Sequence, residues 1–240
     1  VSKVPEGVRD VLRRRFARLP ELTVSILRLA AVIGRDVDVD VLIQAAEVGE
    51  DAVLDALEAG VLAGLLTEPD AGTVRFAHVL VRDTLYADAP RLRRSRWHGR
   101  IAEAVLSVRP DDAAALAHHY HQAAATATAR NAVDAAGRAA EMAQSRYAHE
   151  TAAELYVQAL HDLDRVPAGQ ARPDPRRADG PAAADADPHL AERVDLLARL
   201  SRAQLAAGAT MDSLAARRQA MRLADAAGRS DLLIRAITAK

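Results

Sequence analysis

The stretch from Leu54 to Tyr86, LDALEAGVLAGLLTEPDAGTVRFAHVLVRDTLY, constrains the fold most, because an otherwise helical chain changes its rhythm there. Leu54, Leu57, Val61 and Leu62 recur at i, i+3, i+7 and i+8, the spacing of one helix face. Gly64 ends that helix. Leu65, Leu66 and Thr67 lead into Pro69-Asp70-Ala71-Gly72, a polar turn in which glycine accepts dihedrals that other residues avoid. Thr73 to Phe76 returns with β-branched and aromatic alternation, which predicts a β-hairpin. His78 onward resumes the helical period through Val81, Leu85 and Ala89.

Upstream, Pro5 suits a first helical turn, and Val8, Val11, Leu12 and Phe16 form a stripe opposite Arg9, Arg13, Arg14, Arg15 and Arg18. Pro20 separates a second helix, Glu21 to Ile33, whose Leu22, Ile26, Leu29, Ala30 and Ile33 keep the period until Gly34. Asp38 or Asp40 can cap a short third helix through Ala46, and Glu50 and Asp51 open the fourth. Three helices, then helix, hairpin and helix, is the order of a winged helix, which we assign to residues 1–90.

Helical pairs are expected over residues 91–164. Leu92, Ile101, Ala104, Val105 and Val108 line one helix, with Ala113 to Ala125 as its antiparallel partner, followed by Asn131 to Arg146 and His149 to Leu163. Val166 to Pro188 holds five prolines, two glycines and almost no large apolar residue, so residues 165–188 are read as a flexible linker. Helices resume over 189–240 at Leu190 to Ala207, Met211 to Ala226 and Asp231 to Ile237. Ala140, Ala152, Tyr156 and Ala159 have the small–small–large–small order of a tetratricopeptide unit of ~34 residues, with Leu160 following. Leu200, Ala203, Gly208, Ser213 and Ala220 give a poorer second match, with Arg217 where an aromatic is usual. An Ala-rich bundle explains the same spacing. The fold class expected is mainly α, a winged helix with a small β-hairpin followed by a tetratricopeptide-like array.

Charge decides what the hairpin region is for. A winged helix reads DNA by laying the helix before its hairpin into the major groove, with Lys and Arg on phosphates. Between Arg35 and Arg75 there is no Lys or Arg, while Asp36, Asp38, Asp40, Glu47, Glu50, Asp51, Asp55, Glu58, Glu68 and Asp70 fall in that window. Such a face forfeits the counterion release that drives non-specific DNA affinity, so a protein contact is expected instead. The absence of cysteine fits a reducing compartment, and no apolar run reaches the roughly 20 residues of a membrane span. We therefore expect a cytoplasmic protein with no membrane partner. The chain opens in mid-motif without an initiator methionine, as a piece of a longer protein would.

The ordered series VPEGVRDVLRRRFARLP, ILRLAAVIGRDVDVDVL, LDALEAGVLAGLL, VRFAHVLVRDTLY and AAELYVQAL resembles the region after the nucleotide-binding domain in bacterial STAND ATPases. These include the large ATP-binding LuxR-type and the SARP-type regulators. The resemblance covers Val4 to Leu163, with a looser tail to Lys240. It implies a winged helix folded back on an ATPase core and a tetratricopeptide-like sensor. An inducer, a partner or ATP would open that arrangement for oligomerisation, with DNA bound only through a separate domain. It further implies that His78, in the context Phe76-Ala77-His78, contacts the β-phosphate of ADP. Arg82, one turn along the same helix and on the same side, is a secondary candidate by spacing, for phosphate or for an acidic neighbour. The intact protein would bind ATP or ADP with Mg²⁺. This chain has no G-x-x-x-x-G-K-[ST] loop, so no cofactor and no catalytic residue are expected within it.

Other constellations carry less. His118 and His121 stand at i, i+3, a spacing two metal ligands can share, but no Cys or carboxylate pattern completes the set, and no metal is expected. No G-x-S-x-G elbow places a hydrolytic serine. The run of arginines from Arg91 to Arg100 shares its helix with Leu92, Trp97 and Ile101, as a solvated or domain-docking face would. A stand-alone DNA-binding winged helix with a helical dimerisation domain is the alternative reading, and an enzyme domain with an unrecognised site is a third.

Overall fold

The computed structural model describes residues 6–174 and 187–238. The protein is mainly helical with one small antiparallel sheet, and it divides into two compact units, Val1–Asp112 and Ala113–Lys240. The first contains α1 (Glu6–Phe16), α2 (Glu21–Ile33), β1 (Asp36–Asp38), α3 (Val39–Ala45), α4 (Glu50–Leu62), β2 (Leu66–Asp70), β3 (Thr73–Phe76), α5 (Val79–Asp88) and α6 (Arg91–Val108). The expected boundary at residue 90 leaves out α6, which packs on α3 and α2 through buried Trp97, Ile101, Ala104 and Val105.

The hairpin forms where the rhythm changes. Leu66 faces Phe76 and Thr67 faces Arg75, then the register shifts before Asp70 meets Thr73. Pro69 lies in that irregular stretch, where its missing N–H cannot serve the ladder. Gly72 turns the chain at φ +82°. A strand the sequence reading missed, β1, pairs with the other edge of β3 to give the order β1-β3-β2. Three residues, of which only Val37 is buried, are too few to show an alternation.

Several apolar stripes are rotated from where the sequence places them. On α4 the buried residues are Val53, Ala56, Leu57 and Gly60, whereas Leu54 and Leu62 are exposed. The cause is a close approach at Gly60. A β-carbon there would stand 2.9 Å from Leu66 Cδ1 and 3.2 Å from Leu27 Cδ2, so the smallest residue marks the contact face. Likewise Val8, Val11, Leu22 and Leu92 face outward, while Leu12, Phe16, Ile26 and Leu29 are buried.

Four arginines fasten this unit by closing the C-terminal ends of other helices, whose last carbonyls lack intrahelical donors. Arg15 Nη2 donates to Ala63 O just past α4 at 2.6 Å, and Arg82 Nε to Ala31 O of α2 at 2.9 Å. Arg94 Nη1 donates to Tyr86 O and Ala89 O at the end of α5, at 3.0 and 2.9 Å. Arg100 Nε donates to Ala45 O of α3 at 3.0 Å and its Nη1 meets Glu47 at 3.0 Å. The arginine run on α6 is therefore only in part a solvated face.

The second unit stacks α7 (Ala113–Ala123), α8 (Ala129–Ser145), α9 (His149–Leu163), α10 (Leu190–Ala206), α11 (Thr210–Ala226) and α12 (Ser230–Thr238). Successive helices pack on one another, with α12 also against α10. Alanine makes the contacts: Ala132, Ala135, Ala136, Ala139 and Ala140 of α8 are all buried, which lets helix axes approach closely. Ala152, Tyr156 and Ala159 of α9 are buried as well, and Tyr156 Oη donates to Gln144 at 2.9 Å.

The expected linker behaves otherwise at its described ends. Val166 is buried, and His189 Nε2 donates to its carbonyl at 3.0 Å, drawing together the two ends of the segment. Arg172 pairs with Asp134 at 2.7 Å and Asp174 with Arg229 at 2.7 Å. Arg193 bridges Asp187 and Asp164. Burial disfavours the Asp187 carboxylate, but the His189 N–H and Arg193 outweigh it and hold its pKa below the usual range. Residues 175–186 of the expected linker lie outside the described residues.

Candidate functional site

His78 sits where the sheet becomes a helix. Phe76, fully buried, ends β3 with its N–H on Arg35 O at 3.0 Å, and Ala77 N donates to Leu65 O at 2.9 Å. His78 then takes an extended conformation and caps α5: its Nδ1 accepts from Leu80 N at 3.1 Å. A ring nitrogen that accepts carries no proton, so the neutral ring places its N–H on Nε2. The ring is exposed, and the first turn of α5 has no acidic residue. An imidazole N–H beside the positive end of a helix dipole is suited to meet an anion.

Arg82 is held by different partners. Its Nε serves Ala31 O, its Nη1 lies 3.1 Å from Asp83 Oδ1, and the guanidinium stacks over the Tyr86 ring at 4.9 Å. Asp83 is the kind of acidic neighbour the spacing allowed, whereas the contact with Ala31 O could not be read from sequence, since a backbone carbonyl as partner leaves no mark in the residue pattern.

The acidic window divides in two. Asp36 pairs with Arg75, Asp38 caps α3 through Val41 N at 3.1 Å and lies 3.6 Å from Arg109, and Glu47 pairs with Arg100. Asp40, Glu50, Asp51, Asp55, Glu58, Glu68 and Asp70 are exposed and take no ion pair among the described residues. On α4, Asp51, Leu54, Asp55, Glu58 and Leu62 fall at i, i+3, i+4, i+7 and i+11, one outward stripe of carboxylates around two leucines.

In the second unit, His121 does not act with His118. Its Nδ1 lies 2.8 Å from Asp162 Oδ1, and the His118 ring packs edge-on against His119. Asp162 is fully buried and also takes Arg165 Nη2 at 2.5 Å. No family model, curated protein or solved structure matches the chain. Among the described residues, no helix is long and apolar enough to cross a membrane.

Proposed function

We propose that the first unit is a winged helix that docks on protein, and that the chain is the regulatory portion of a cytoplasmic STAND ATPase, its second unit a tetratricopeptide-like sensor. The observation that carries this is the α4 stripe: the helix before the hairpin presents unpaired carboxylates and two exposed leucines where a groove reader needs cations. Such a face suits a basic, partly apolar protein surface, here the nucleotide-binding domain of the same protein. His78 would donate Nε2–H to the β-phosphate of ADP and favour the closed state. An inducer at the helical repeats would oppose it.

Fluorescence anisotropy with a generic duplex at low salt tests the stripe. We expect no saturable binding tighter than the roughly micromolar range of weak non-specific complexes. Submicromolar binding that falls steeply with salt would favour a stand-alone DNA-binding winged helix.

His78 requires the intact protein. A charge-assisted hydrogen bond contributes about 1.5–3 kcal/mol, so His78→Ala is expected to speed ADP release roughly ten- to hundredfold. His78→Asn keeps an N-cap side chain while removing the imidazole, and it should show the same release. ADP retention that Asn restores would reduce the residue to a helix cap.

A further inference from the structure

We propose that the first unit docks on a second copy of itself, the α4 stripe of one copy lying in the groove between α1 and α2 of the next. The inference rests on the reading that this stripe meets protein, and it names a partner surface. That surface must be basic and partly apolar, and the first unit carries one. A groove opens between α1, the first half of α2 and the end of α5, with a volume of about 760 Å³. That is near the upper end of small-molecule sites, roomy enough for the side chains of a helix. Phe16 and Leu19 line it from one side and Val24 from the other.

Arg28 is the cation this groove leaves unanswered. It is half-buried on α2, lines the groove, and meets no carboxylate or carbonyl among the described residues. Its Nε is buried without a partner, whereas the two terminal nitrogens are unpartnered but not buried, so the charge keeps open surface. Arg9, one turn before Arg13 on the same side of α1, is likewise half-buried and unpaired. Arg13 is neutralised by Asp88 at 2.6 Å, which leaves Glu21 as the one unpaired acid among the lining residues. Partly desolvated guanidinium groups gain most from carboxylates that can take two parallel hydrogen bonds.

The α4 stripe supplies what the groove lacks. Asp51, Asp55 and Glu58 are exposed and unpaired, and Leu54 and Leu62 beside them are 38% and 89% exposed. Leucines for an apolar floor and acids for a cationic rim make the stripe a helix suited to lie in a groove. The whole unit is polarised in the same sense. Residues 36–74 contain ten acids and no Lys or Arg, whereas residues 1–35 and 75–112 contain sixteen Lys and Arg against eight Asp and Glu. Bodies charged in this way meet preferentially with opposite ends together. No residue belongs to both faces, so the contact is heterologous, and one copy can give its stripe while receiving another's. On the function proposed above, the stripe serves either the nucleotide-binding domain or a neighbour, never both at once.

Sedimentation velocity of the full chain tests this. At low salt the chain should self-associate with a dissociation constant of roughly 100 μM or tighter, and roughly 0.5 M salt should weaken that about tenfold. Arg28→Glu in the groove and Asp55→Arg on the exposed stripe should each weaken association about tenfold or more. Mixing the two variants should restore it, because each supplies the face the other has lost. Where Arg28→Glu fails to fold, Asp55→Arg and the salt dependence decide alone. A chain that stays monomeric to roughly 1 mM overturns the proposal. So does association indifferent to salt or to Asp55→Arg, or failure of two folded variants to rescue each other. A monomer that also ignores duplex DNA leaves the stripe as a docking face for another protein, whereas submicromolar duplex binding overturns that reading as well.

Discussion

Arg165→Ala is expected to destabilise the second unit by about 3 kcal/mol, the lower end of what breaking a buried ion pair costs. Asp162 lies within the C-terminal turn of α9, where the helix dipole repels a negative charge, and its side chain has no exposure at all. Among the described residues Arg165 and His121 compensate it, and Oδ2 has no hydrogen-bond partner there. Removing the guanidinium strands a carboxylate that water cannot reach. The opposite truncation is milder. Asp162→Ala leaves Arg165 and His121, whose side chains are 23% and 29% exposed, free to rehydrate, so about 2 kcal/mol or less is expected. The double variant should recover part of the Arg165→Ala loss. Urea unfolding followed by circular dichroism of the helices measures all three, because the lone tryptophan, Trp97, lies in the first unit. An Arg165→Ala variant no less stable than Asp162→Ala would show that the carboxylate is not the costly member of the pair.

Phe76→Ala should have the largest effect on the first unit, about 3–5 kcal/mol. Phe76 is fully buried on the central strand, faces Leu66 across the ladder, and stands two residues before His78. Truncation leaves a cavity that β3 cannot collapse into without losing its pairing to both neighbours. Trp97 fluorescence in urea reports it, and Phe76→Leu should lose less. A loss below roughly 1 kcal/mol would mean that β2 and β3 move as a flap rather than as part of the core.

What the sequence made legible follows from physical range. Long helices with a 3.6-residue period were readable almost end to end, as was the hairpin, whose turn chemistry is local. The facing of α4 was not, because helix contact at Ala56 and Gly60 depends on smallness rather than hydrophobicity, and a stripe of leucines draws the eye away from it. The strand at Val37 exists only because β3, far along the chain, offers it an edge. That His78 opens the helix after the hairpin was readable from the change of period, whereas the duty of Arg82 toward Ala31 was not.

The arginines that close helix ends in the first unit bear on how that unit looks to a distant molecule. Arg15, Arg82, Arg94 and Arg100 direct guanidinium nitrogens at the protein's own carbonyls, while the acids of α4 and the hairpin project outward. The carbonyls are neutral and leave the arginine charges in place, so what a molecule approaching the hairpin side meets first is set by the outward acids of α4 and the hairpin. Polyanions are turned away before contact, and cationic surfaces are drawn in the faster the lower the ionic strength.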